Sequence, residues 1–523
     1  MLAASARRFA PAVAVRDGDV DLTYAQLADA VRGVARGVLA LGIGKGDRVG
    51  LWAPNSHRWI VASLALHTAG AVVVPLNTRY RGQEAREILA RVRASAVLVD
   101  DGFLGYGYAD AVTIPVDGDR VGERLDGLTV VDIGRDRTAA GAEVIGWDDL
   151  VAGGAAVSLE AVRDAAEAVR PEDLSEIIFT SGTTGLPKGV TIPHGAALDL
   201  YHAYAEVWGL RAGDRYLVTL PFFHTGGNKA GMLVSLMYGL TIVPMAVFDA
   251  TEALRLIEAE RISVMNGPPT IYYALLESPD RRKRDLGSLR VAATGAAVVP
   301  VALVERARTE LPFDRFVTAY GMTECCGTAT MCRETDSLET IARTSGSAVP
   351  GVELRVVDPQ GREVGPGEPG EVLIRGANVT PGYWEDPDAT AAAIDADGWL
   401  RSGDVGTLDE HGHLTITDRL TDLFIVGGFN VSPAEVEQVL ARHPAVAEVA
   451  VVGVPDERLG EVPKAFVIPR QGAAVVPGEV IAWARERLAN FKVPRAVDVV
   501  GELPRNASGK VLRRELRRRE RGG

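Results

Sequence analysis

The chain has 523 residues, of which 47% are hydrophobic and 24% are charged, a balance that excludes an intrinsically disordered protein. At about 150 residues per domain, this length predicts three or four folding units. The 56 lysines and arginines against 69 acidic residues give a net charge of −13, so we expect neither nucleic acid nor an anionic membrane as a partner.

The three cysteines lie close together in the sequence, at Cys325, Cys326 and Cys332. Their odd number and the lack of paired metal-ligand spacing favour a reducing compartment over a disulfide framework. No apolar run reaches the roughly 18 residues that a membrane span requires. We therefore expect a cytoplasmic protein. The sequence leaves the oligomeric state open, a homodimer included.

Short β-branched runs alternate with amphipathic segments from residue 20 to about 310, a pattern typical of parallel sheets covered by helices. The predicted strands of this region are 49–52, 71–75, 96–99, 216–220, 241–243, 263–265 and 290–293. Helices are predicted at 59–68 and 83–91. Residues 101–170 are rich in Gly, Asp and Ala, so we expect loops and an insertion there that end in a helix at 159–169.

The pattern changes twice towards the C-terminus. Short strands at 353–358, 371–375 and 414–417 alternate with turn clusters, which predicts a small, distorted β-rich unit. From about residue 422, strands at 424–426 and 446–452 and helices at 433–442 and 478–488 predict a compact α+β module. We therefore predict an α/β protein with a large domain over 1–417, whose β-rich subdomain covers about 340–417, and a small domain over 422–523.

The strongest motif is TSGTTGLPKGV, residues 180–190, which follows an apolar run that ends at Phe179. Its glycines allow tight turns and close approach of backbone N–H groups to an anion, and Lys188 adds a positive charge. Hydroxyl donors come from Ser181, Thr183 and Thr184. A Walker A loop needs Gly-Lys-Ser/Thr at the start of a helix, and its absence here excludes a P-loop ATPase. The alternative is a flexible polar loop without a ligand.

This motif resembles the phosphate loop of the adenylate-forming superfamily, which includes acyl-CoA synthetases, adenylation domains of peptide synthetases and luciferases. Further motifs follow in the family's order, and the similarity extends from about residue 22 to residue 514. The resemblance implies that the β-rich unit is a distorted β-barrel, that residues 418–421 form a hinge, and that the C-terminal domain is mobile. It implies ATP, Mg²⁺ and coenzyme A as cofactors, and a small carboxylic acid as the substrate.

Nucleotide-binding residues follow from the same resemblance. In the segment AYGMTE, Tyr320 is expected to stack on adenine, Thr323 to bond the α-phosphate and Glu324 to bind Mg²⁺. Asp404 is expected to accept hydrogen bonds from the ribose hydroxyls, and Arg419 to contact ribose and phosphate. The full expected set is Thr180, Ser181, Gly182, Thr183, Thr184, Gly185, Lys188, Gly295, Ala296, Ala297, Tyr320, Gly321, Thr323, Asp404, Arg419, Gly427, Gly428 and Lys510. Taken singly, several of these segments also fit an ordinary turn or a surface ion pair.

Catalytic roles are implied for four residues, of which Thr323 is one. Lys510, in PRNASGK, is expected to reach the carboxylate and the α-phosphate during adenylation. His224, in PFFH, is expected beside the acyl carboxylate, where it positions or gates rather than acting as a base. Gly428 falls where the family keeps a glycine along the tunnel for the pantetheine arm. Thr421 departs from the family, which usually carries Asp or Lys at the hinge.

The sequence indicates the identity of the acid less clearly than it indicates the nucleotide-binding residues. The candidate residues of the acyl pocket are His224, Thr225, Gly226, Lys229, Asn266, Gly267, Ala296, Ala319, Cys325 and Cys326. The paired glycines at 226 and 227 suggest a roomy pocket, and the cysteines suggest apolar packing. The strings FFHTGGNKAGM and ATGAAVVPVALVERAR resemble the acyl-CoA synthetases of bacterial steroid breakdown, one branch of which activates a propanoate bearing an indanedione. We therefore weigh this acid against a fatty acid, with Lys229 or Asn266 as the partner of a ring ketone.

Two other functions share these motifs. A stand-alone adenylation enzyme that loads a carrier protein would keep every nucleotide motif and differ only in the acceptor of the acyl group. A non-catalytic acyl- or nucleotide-binding protein would not need Lys510, Glu324, Asp404 and Arg419 together. A screen of carboxylic acids with free coenzyme A distinguishes these hypotheses.

Overall fold

The computed structural model describes residues 1–114, 125, 127–136, 143–180, 187–295, 301–419, 424–470, 472–504, 511 and 513–521. The chain forms two compact units. The first contains Met1–Thr78, Arg86–Ile178 and Val190–Thr417, and the second contains Arg79–Ala85, Phe179–Gly189 and Asp418–Gly523.

The strands are numbered in chain order. The first nine are β1 Val13–Asp17, β2 Val20–Thr23, β3 Arg48–Trp52, β4 Val72–Pro75, β5 Ala96–Val99, β6 Thr129–Asp132, β7 Ile145–Gly146, β8 Leu174–Thr180 and β9 Lys188–Pro193. The next seven are β10 Arg215–Val218, β11 Thr241–Pro244, β12 Val264–Gly267, β13 Val291–Thr294, β14 Arg315–Tyr320, β15 Thr330–Met331 and β16 Ser347–Ala348. The last nine are β17 Val352–Val357, β18 Gly370–Gly376, β19 Leu400–Leu408, β20 Leu414–Arg419, β21 Phe424–Val426, β22 Phe429–Val431, β23 Val446–Asp456, β24 Gly460–Pro469 and β25 Ala496–Val499.

The helices are numbered in the same way. The first nine are α1 Leu2–Arg8, α2 Tyr24–Ala40, α3 His57–Ala69, α4 Gly82–Arg91, α5 Tyr108–Thr113, α6 Trp147–Gly153, α7 Leu159–Glu167, α8 His194–Trp208 and α9 Thr225–Gly227. The others are α10 Val234–Tyr238, α11 Ala250–Ala259, α12 Pro269–Glu277, α13 Val301–Glu310, α14 Leu338–Arg343, α15 Pro387–Ala393, α16 Pro433–Leu440, α17 Pro477–Arg487 and α18 Arg513–Arg521. A π-helical turn, Asn228–Leu233, joins α9 to α10. The 3₁₀ turns are Phe103–Gly105, Gly154–Ala156, Pro279–Lys283, Thr323–Cys325 and Asn490–Lys492.

Two large sheets form the frame of the first unit. One has seven strands in the order β7-β6-β5-β3-β4-β8-β9, and the other has nine in the order β16-β15-β14-β13-β12-β10-β11-β1-β2. Strands β10 to β14 pair in parallel, with Asn266 opposite Ala293 and Thr294 opposite Thr318. Parallel pairing brings the carboxyl ends of these strands to one edge of the sheet, the usual place for a ligand in this kind of fold.

Local sequence signals explain where the long helices of this unit begin. Thr23 and Gln26 form a capping box at the start of α2, each side chain accepting from the other's backbone N–H. Helix α3 begins after Ser56, whose hydroxyl caps it, and ends at Gly70, which adopts a left-handed conformation with φ of 81°. Buried apolar side chains at helical spacing along these helices pack into the core of the first unit.

The remaining two sheets are antiparallel in most of their pairs. Strands β17 to β20 form a four-stranded sheet where the sequence predicts the β-rich subdomain. In the second unit, β23 pairs with β24 along its whole length, and side chains alternate between two cores. Val451 packs in the core that contains side chains of α16 and α17, whereas Val452 packs with Leu516 of α18 on the other face.

The predicted α/β class is confirmed, with a β-rich sheet and a smaller α+β unit following the parallel sheets. The expectation of loops in 101–158 is wrong in part, because this region adds β6 and β7 to the seven-stranded sheet and contains α5 and α6. The helix predicted at 159–169 is confirmed as α7. Within the described residues, no helix combines the length and the apolar character needed to cross a membrane.

Candidate active site

The carboxyl edge of the nine-stranded sheet brings several predicted residues together. Strands β12, β13 and β14 end there at Gly267, Thr294 and Tyr320. Gly295 follows β13, and a Cβ at this position would lie 2.5 Å from the carbonyl oxygen of Ala319. The glycine is therefore needed for close packing of neighbouring strand ends, whatever ligand lies beyond them.

Tyr320 and Asp404, which are 84 residues apart in the sequence, meet at this edge. The Tyr320 hydroxyl donates to Oδ2 of Asp404 at 2.8 Å. Asp404 lies in β19, is buried, and donates its backbone N–H to the Ser402 hydroxyl. Burial raises the pKa of Tyr320, and the Asp404 carboxylate raises it further, so the phenol keeps the proton that it donates. The structure thus brings together two residues that the sequence analysis assigned to one nucleotide.

Thr323 and Glu324 occupy a buried 3₁₀ turn that follows β14. Tyr383 donates its hydroxyl to Oε1 of Glu324 at 3.0 Å, and the backbone N–H of Thr380 donates to the Glu324 carbonyl at 2.8 Å. Burial and the Glu324 carboxylate both raise the pKa of Tyr383, so its hydroxyl remains a donor. The Glu324 side chain is consequently held in one orientation.

Asn378 holds the turn that contains Glu324 through two hydrogen bonds to its backbone. Its side-chain amide donates to the carbonyl oxygens of Cys325 and Thr328, each at 3.1 Å. The sequence analysis identified neither Asn378 nor Tyr383. The available signal was the string NVTPGYW, which begins two residues after the end of β18 and is typical of a turn when taken alone.

His224 caps the short helix α9. Its Nδ1 accepts a hydrogen bond from the backbone N–H of Gly226 at 3.1 Å, so the neutral ring carries its proton on Nε2. Burial lowers the pKa of His224, which keeps the imidazole neutral. A neutral ring in this tautomer donates a hydrogen bond from Nε2, as a positioning residue requires.

The turn that carries His224 is held by Asn55, which the sequence analysis did not identify. The Asn55 amide donates to the Leu220 carbonyl at 2.9 Å and accepts from the Phe222 N–H at 2.7 Å. A Cβ at Gly227 would collide with the carbonyl oxygens of Pro221 and Leu220. Gly227 is therefore required by backbone packing, and this explains the residue without reference to pocket size.

A buried ion pair lies directly after this turn. Lys229 Nζ donates to Oε1 of Glu176 at 2.7 Å, and the side chains are 3% and 0% exposed. The Asn228 amide donates to the same oxygen at 2.8 Å. Glu176 lies in the buried strand β8, and Lys229 lies in the π-helical turn. Single π-helical turns occur frequently at functional sites.

Charged and titratable groups surround this pair. Burial raises the pKa of Cys326 to about 12, while the charges of Lys229 and Glu176 act on it in opposite directions. Burial likewise raises the pKa of Cys325 to about 12. Both thiols are therefore protonated, in keeping with apolar packing rather than reactivity. His67 donates from Nε2 to the Ser175 carbonyl at 3.1 Å, and burial together with the Lys229 charge lowers its pKa to about 3.

The second unit contains other predicted residues. Thr180 ends β8 and Lys188 begins β9, so both flank the expected phosphate loop. Gly427 and Gly428 form the two-residue turn between β21 and β22, with φ of 55° and 88°. Two consecutive positive φ angles define the hairpin turn in which glycine is preferred at both positions. Arg419 is the last residue of β20.

Several predicted residues lie outside the described residues. They are Ser181, Gly182, Thr183, Thr184, Gly185, Ala296, Ala297, Thr421 and Lys510. Of the expected nucleotide-binding residues, Tyr320 and Asp404 are in direct contact, and Thr323 and Glu324 lie in the turn after the strand that ends at Tyr320. All four belong to the first unit. In the part of the chain that the structure describes, no group of three or more His, Cys, Asp or Glu side chains is arranged to hold a metal ion. A magnesium ion at Glu324 would thus take one carboxylate from this region and complete its coordination with phosphate oxygens and water, a pattern that Mg²⁺ accepts.

This combination of fold and site defines a nucleotide-using enzyme of the adenylate-forming kind, and the comparison with known families agrees. The chain belongs to the AMP-binding enzyme family, since the family's main domain matches residues 2–384 and its C-terminal domain matches residues 435–510.

Individual relatives narrow the class. The chain is 50% identical over 502 residues to a 7a-methyl-1,5-dioxo-octahydro-1H-inden-4-yl propanoyl:CoA ligase of Mycobacterium tuberculosis. The matched residues make up 95% of this chain and 94% of that protein. It is 47% identical over 527 residues to a ligase of the same name from Rhodococcus jostii, with coverage of 98% and 96%. Among solved structures, an o-succinylbenzoate CoA synthetase from Bacillus subtilis is 30% identical with a TM-score of 0.84, with coverage of 99% and 98%. The chain is an AMP-forming acid–thiol ligase that uses ATP and coenzyme A, and the predicted superfamily is confirmed.

Proposed function

We propose that this ligase activates a propanoate attached to a methylated, two-ring indanedione. The observation that carries the proposal is the 47–50% identity, over nearly the whole chain, to two ligases named for that acid.

In the first half-reaction, an oxygen of the acid's carboxylate attacks the α-phosphorus of ATP, and pyrophosphate leaves. Tyr320 stacks on the adenine while Asp404, held by the Tyr320 hydroxyl, accepts hydrogen bonds from the ribose. Thr323 donates to the α-phosphate. His224 donates from Nε2 to the carboxylate, which orients it for attack and requires no proton transfer.

Positive charge offsets the charge on the phosphates. Lys510 and the loop 181–189 contribute donors from this chain, and Glu324 would hold Mg²⁺ with its orientation fixed by Tyr383. When bound, the metal supplies electrostatic stabilisation of the phosphate oxygens. In the second half-reaction, the hinge at 418–421 exchanges Lys510 for the turn at Gly427 and Gly428. The thiol of coenzyme A then loses its proton and attacks the acyl carbon of the acyl-adenylate, so that the thioester forms and AMP leaves. A cytoplasmic location and a homodimer stay predictions.

The experiment that tests the proposed function is an acid panel with free coenzyme A as the acceptor. AMP release is measured for the indanedione propanoate, octanoate and a mixture of amino acids, each at several concentrations. We expect kcat/KM for the indanedione propanoate to exceed that for octanoate by at least tenfold. Preference for octanoate contradicts the substrate assignment. Adenylation without thioester formation on free coenzyme A favours the carrier-protein alternative.

A variant at the hairpin turn separates the two half-reactions. Gly428→Asn adds a side chain while tolerating the observed φ of 88°, since Asn adopts left-handed backbone conformations more readily than most residues. If the turn contacts the pantetheine arm, acid-dependent pyrophosphate exchange persists while thioester formation falls. Equal retention of both activities removes Gly428 from the thiol path.

A further inference from the structure

Cys326 adopts a backbone conformation that a residue with a side chain seldom takes. Its φ is 57° and its ψ is 20°, which places it in the left-handed region. A Cβ is disfavoured there because it crowds the following carbonyl oxygen, and glycine is the usual occupant. Strained residues of this kind persist where the surrounding structure holds them, and they are frequent at functional sites. A cysteine at this position therefore needs neighbouring groups that hold its backbone.

The left-handed residue closes the turn that carries two predicted site residues. Thr323 and Glu324 lie in the 3₁₀ turn, and Cys326 ends that turn as its C-terminal cap. The Cys326 N–H donates to the Thr323 carbonyl at 2.9 Å. The chain then reverses, and β15 pairs antiparallel with β14, with Thr330 opposite Tyr320. The conformation of Cys326 thus directs the chain back along β14 and determines how the turn projects from the sheet.

Gly327 also has a positive φ, but for a different reason. Its φ is 101°, and a Cβ there would lie 2.8 Å from Oγ1 of Thr225 and 2.9 Å from the Tyr201 hydroxyl oxygen. Space and backbone geometry both require glycine at position 327. At position 326 the side chain is accommodated in the core, and the positive φ is the unfavourable feature.

The Tyr201 hydroxyl holds the peptide group of Cys326 directly. It donates to the Cys326 carbonyl oxygen at 3.0 Å. Tyr201 is fully buried in α8, and burial raises its pKa well above the ordinary value, so the phenol keeps the proton that it donates. Asn378 donates to the carbonyls of Cys325 and Thr328, which flank the strained residue. Asn378 therefore fixes the neighbouring peptide groups, and Tyr201 fixes that of Cys326 itself.

Loss of the Tyr201 hydroxyl would remove one of the groups that offset the strain. A buried carbonyl oxygen would lose this donor, and the unfavourable φ would remain. The backbone of Cys326 would then relax towards a right-handed conformation. Because the Cys326 N–H is bonded to the Thr323 carbonyl, this change would displace Thr323 and Glu324 from their positions.

We propose that Tyr201 is a positioning residue of the adenylation step, whose hydroxyl holds Cys326 in the left-handed conformation and thereby orients Thr323 and Glu324. This inference rests on the proposed function, because it takes the α-phosphate and Mg²⁺ as the ligands of these two residues. Tyr201 acts through the turn and takes no part in the chemistry.

The test asks whether the effect of removing the Tyr201 hydroxyl depends on the Cβ at position 326. Tyr201→Phe is made alone and in combination with Cys326→Gly or Cys326→Ala, and each Cys326 variant is also made alone. Glycine takes the left-handed conformation without the Cβ penalty, whereas alanine keeps the penalty and removes only the thiol. A matched control is Tyr24→Phe, since Tyr24 is also fully buried and its hydroxyl donates to the carbonyls of Ser235 and Leu240.

The assay is acid-dependent pyrophosphate exchange, with the acid that gives the highest kcat/KM in the acid panel. Two quantities are measured for each protein: kcat/KM for ATP, and the Mg²⁺ concentration for half-maximal rate. The second quantity does not depend on the amount of folded enzyme, so it separates a displaced turn from a general loss of folding.

We expect Tyr201→Phe to lower kcat/KM for ATP about tenfold and to raise the half-maximal Mg²⁺ concentration about threefold, the range that one buried hydrogen bond contributes. The loss of kcat/KM that Tyr201→Phe causes should stay about tenfold when combined with Cys326→Ala and shrink below about threefold when combined with Cys326→Gly. Tyr24→Phe should change both quantities by less than about twofold.

Equal losses in the glycine and alanine combinations overturn the proposal, because the hydroxyl would then act independently of the strain at position 326. A loss below about twofold in Tyr201→Phe alone overturns it as well. If Glu324→Gln leaves the Mg²⁺ dependence unchanged, the proposed function of Glu324 has failed, and this outcome is recognised without any variant of Tyr201.

Discussion

Removing one member of the Glu176–Lys229 pair is expected to destabilise the first unit far more than removing both. The perturbation consists of Glu176→Gln, Lys229→Met and the double variant. Glu176 is fully buried, and its Oε1 accepts from both Lys229 Nζ at 2.7 Å and the Asn228 amide at 2.8 Å. Met preserves the length of the lysine stem, and Gln preserves the shape of the carboxylate.

The magnitude follows from the geometry. At 2.7 Å and an effective dielectric constant of about 20, the attraction of two unit charges is roughly 6 kcal/mol, which several kcal/mol of desolvation per ion largely offset. Either single substitution removes the attraction and leaves one charge buried, at a cost of about 3–5 kcal/mol. The double variant removes both charges together, and we expect it to lie within about 1 kcal/mol of the wild type. The coupling energy of the cycle should therefore be about 5 kcal/mol or more.

The assay is urea unfolding followed by tryptophan fluorescence, with the midpoint and slope measured for each protein. A matched control is the exposed pair Arg255–Glu252 in α11, whose side chains are 47% and 45% exposed and whose coupling should be about 0.2–1 kcal/mol. One molar NaCl should reduce the control coupling and leave the buried coupling nearly unchanged. Single variants that cost no more than the control, or an additive double variant, would refute the reasoning.

Three further predictions concern the site and its surroundings. Tyr320→Phe removes the 2.8 Å bond to Asp404 and should raise KM for ATP about tenfold in pyrophosphate exchange; a change below twofold contradicts this role. Glu324→Gln should raise the Mg²⁺ concentration for half-maximal adenylation by about tenfold, and an unchanged Mg²⁺ dependence removes it as a ligand. The pKa of His67 is about 3 in the folded chain against an ordinary 6.5, so the unfolded chain binds more protons between these values. Stability should therefore fall as pH drops from 6.5, by up to about 1.4 kcal/mol per pH unit, and His67→Gln should reduce this slope in urea midpoints measured from pH 7 to 5.

The strands of the parallel sheets could be predicted because a strand that is buried on both faces appears in the sequence as a short run of β-branched residues. The predicted strands at 49–52 and 96–99 correspond to β3 and β5 within one residue. Strand β6 has the same character, with Val130 and Val131 buried, but it lies among Gly- and Asp-rich segments that obscure it. Helix α2 carries a capping box, Thr23 with Gln26, yet its helical pattern was not identified. Local signals were sufficient to predict a strand or helix where the neighbouring segments showed a clear periodic pattern as well.

The motif that contains Tyr320 and Glu324 could be recognised because it carries its chemistry in adjacent residues, and the roles assigned to these residues stay predictions. Their partners could not be predicted, because strand order and loop packing determine them. Tyr383 reaches Glu324 across 59 positions, and Asn55 reaches Phe222 across 167. Glu176 offered a signal that was missed, since a carboxylate inside the apolar strand LSEIIFT demands a buried cation.

Glycines show why a motif can be identified correctly and explained incompletely. A Cβ at position 227 would collide with two carbonyl oxygens, so only glycine fits there. Gly428 adopts a positive φ that its hairpin turn requires. Backbone geometry is a sufficient reason for both residues, so their presence does not by itself demonstrate a pocket or a tunnel. Lys229 is different, because no feature of backbone geometry requires a lysine at that position. The reason is the buried Glu176 carboxylate, which would be left as an uncompensated charge without a cation beside it.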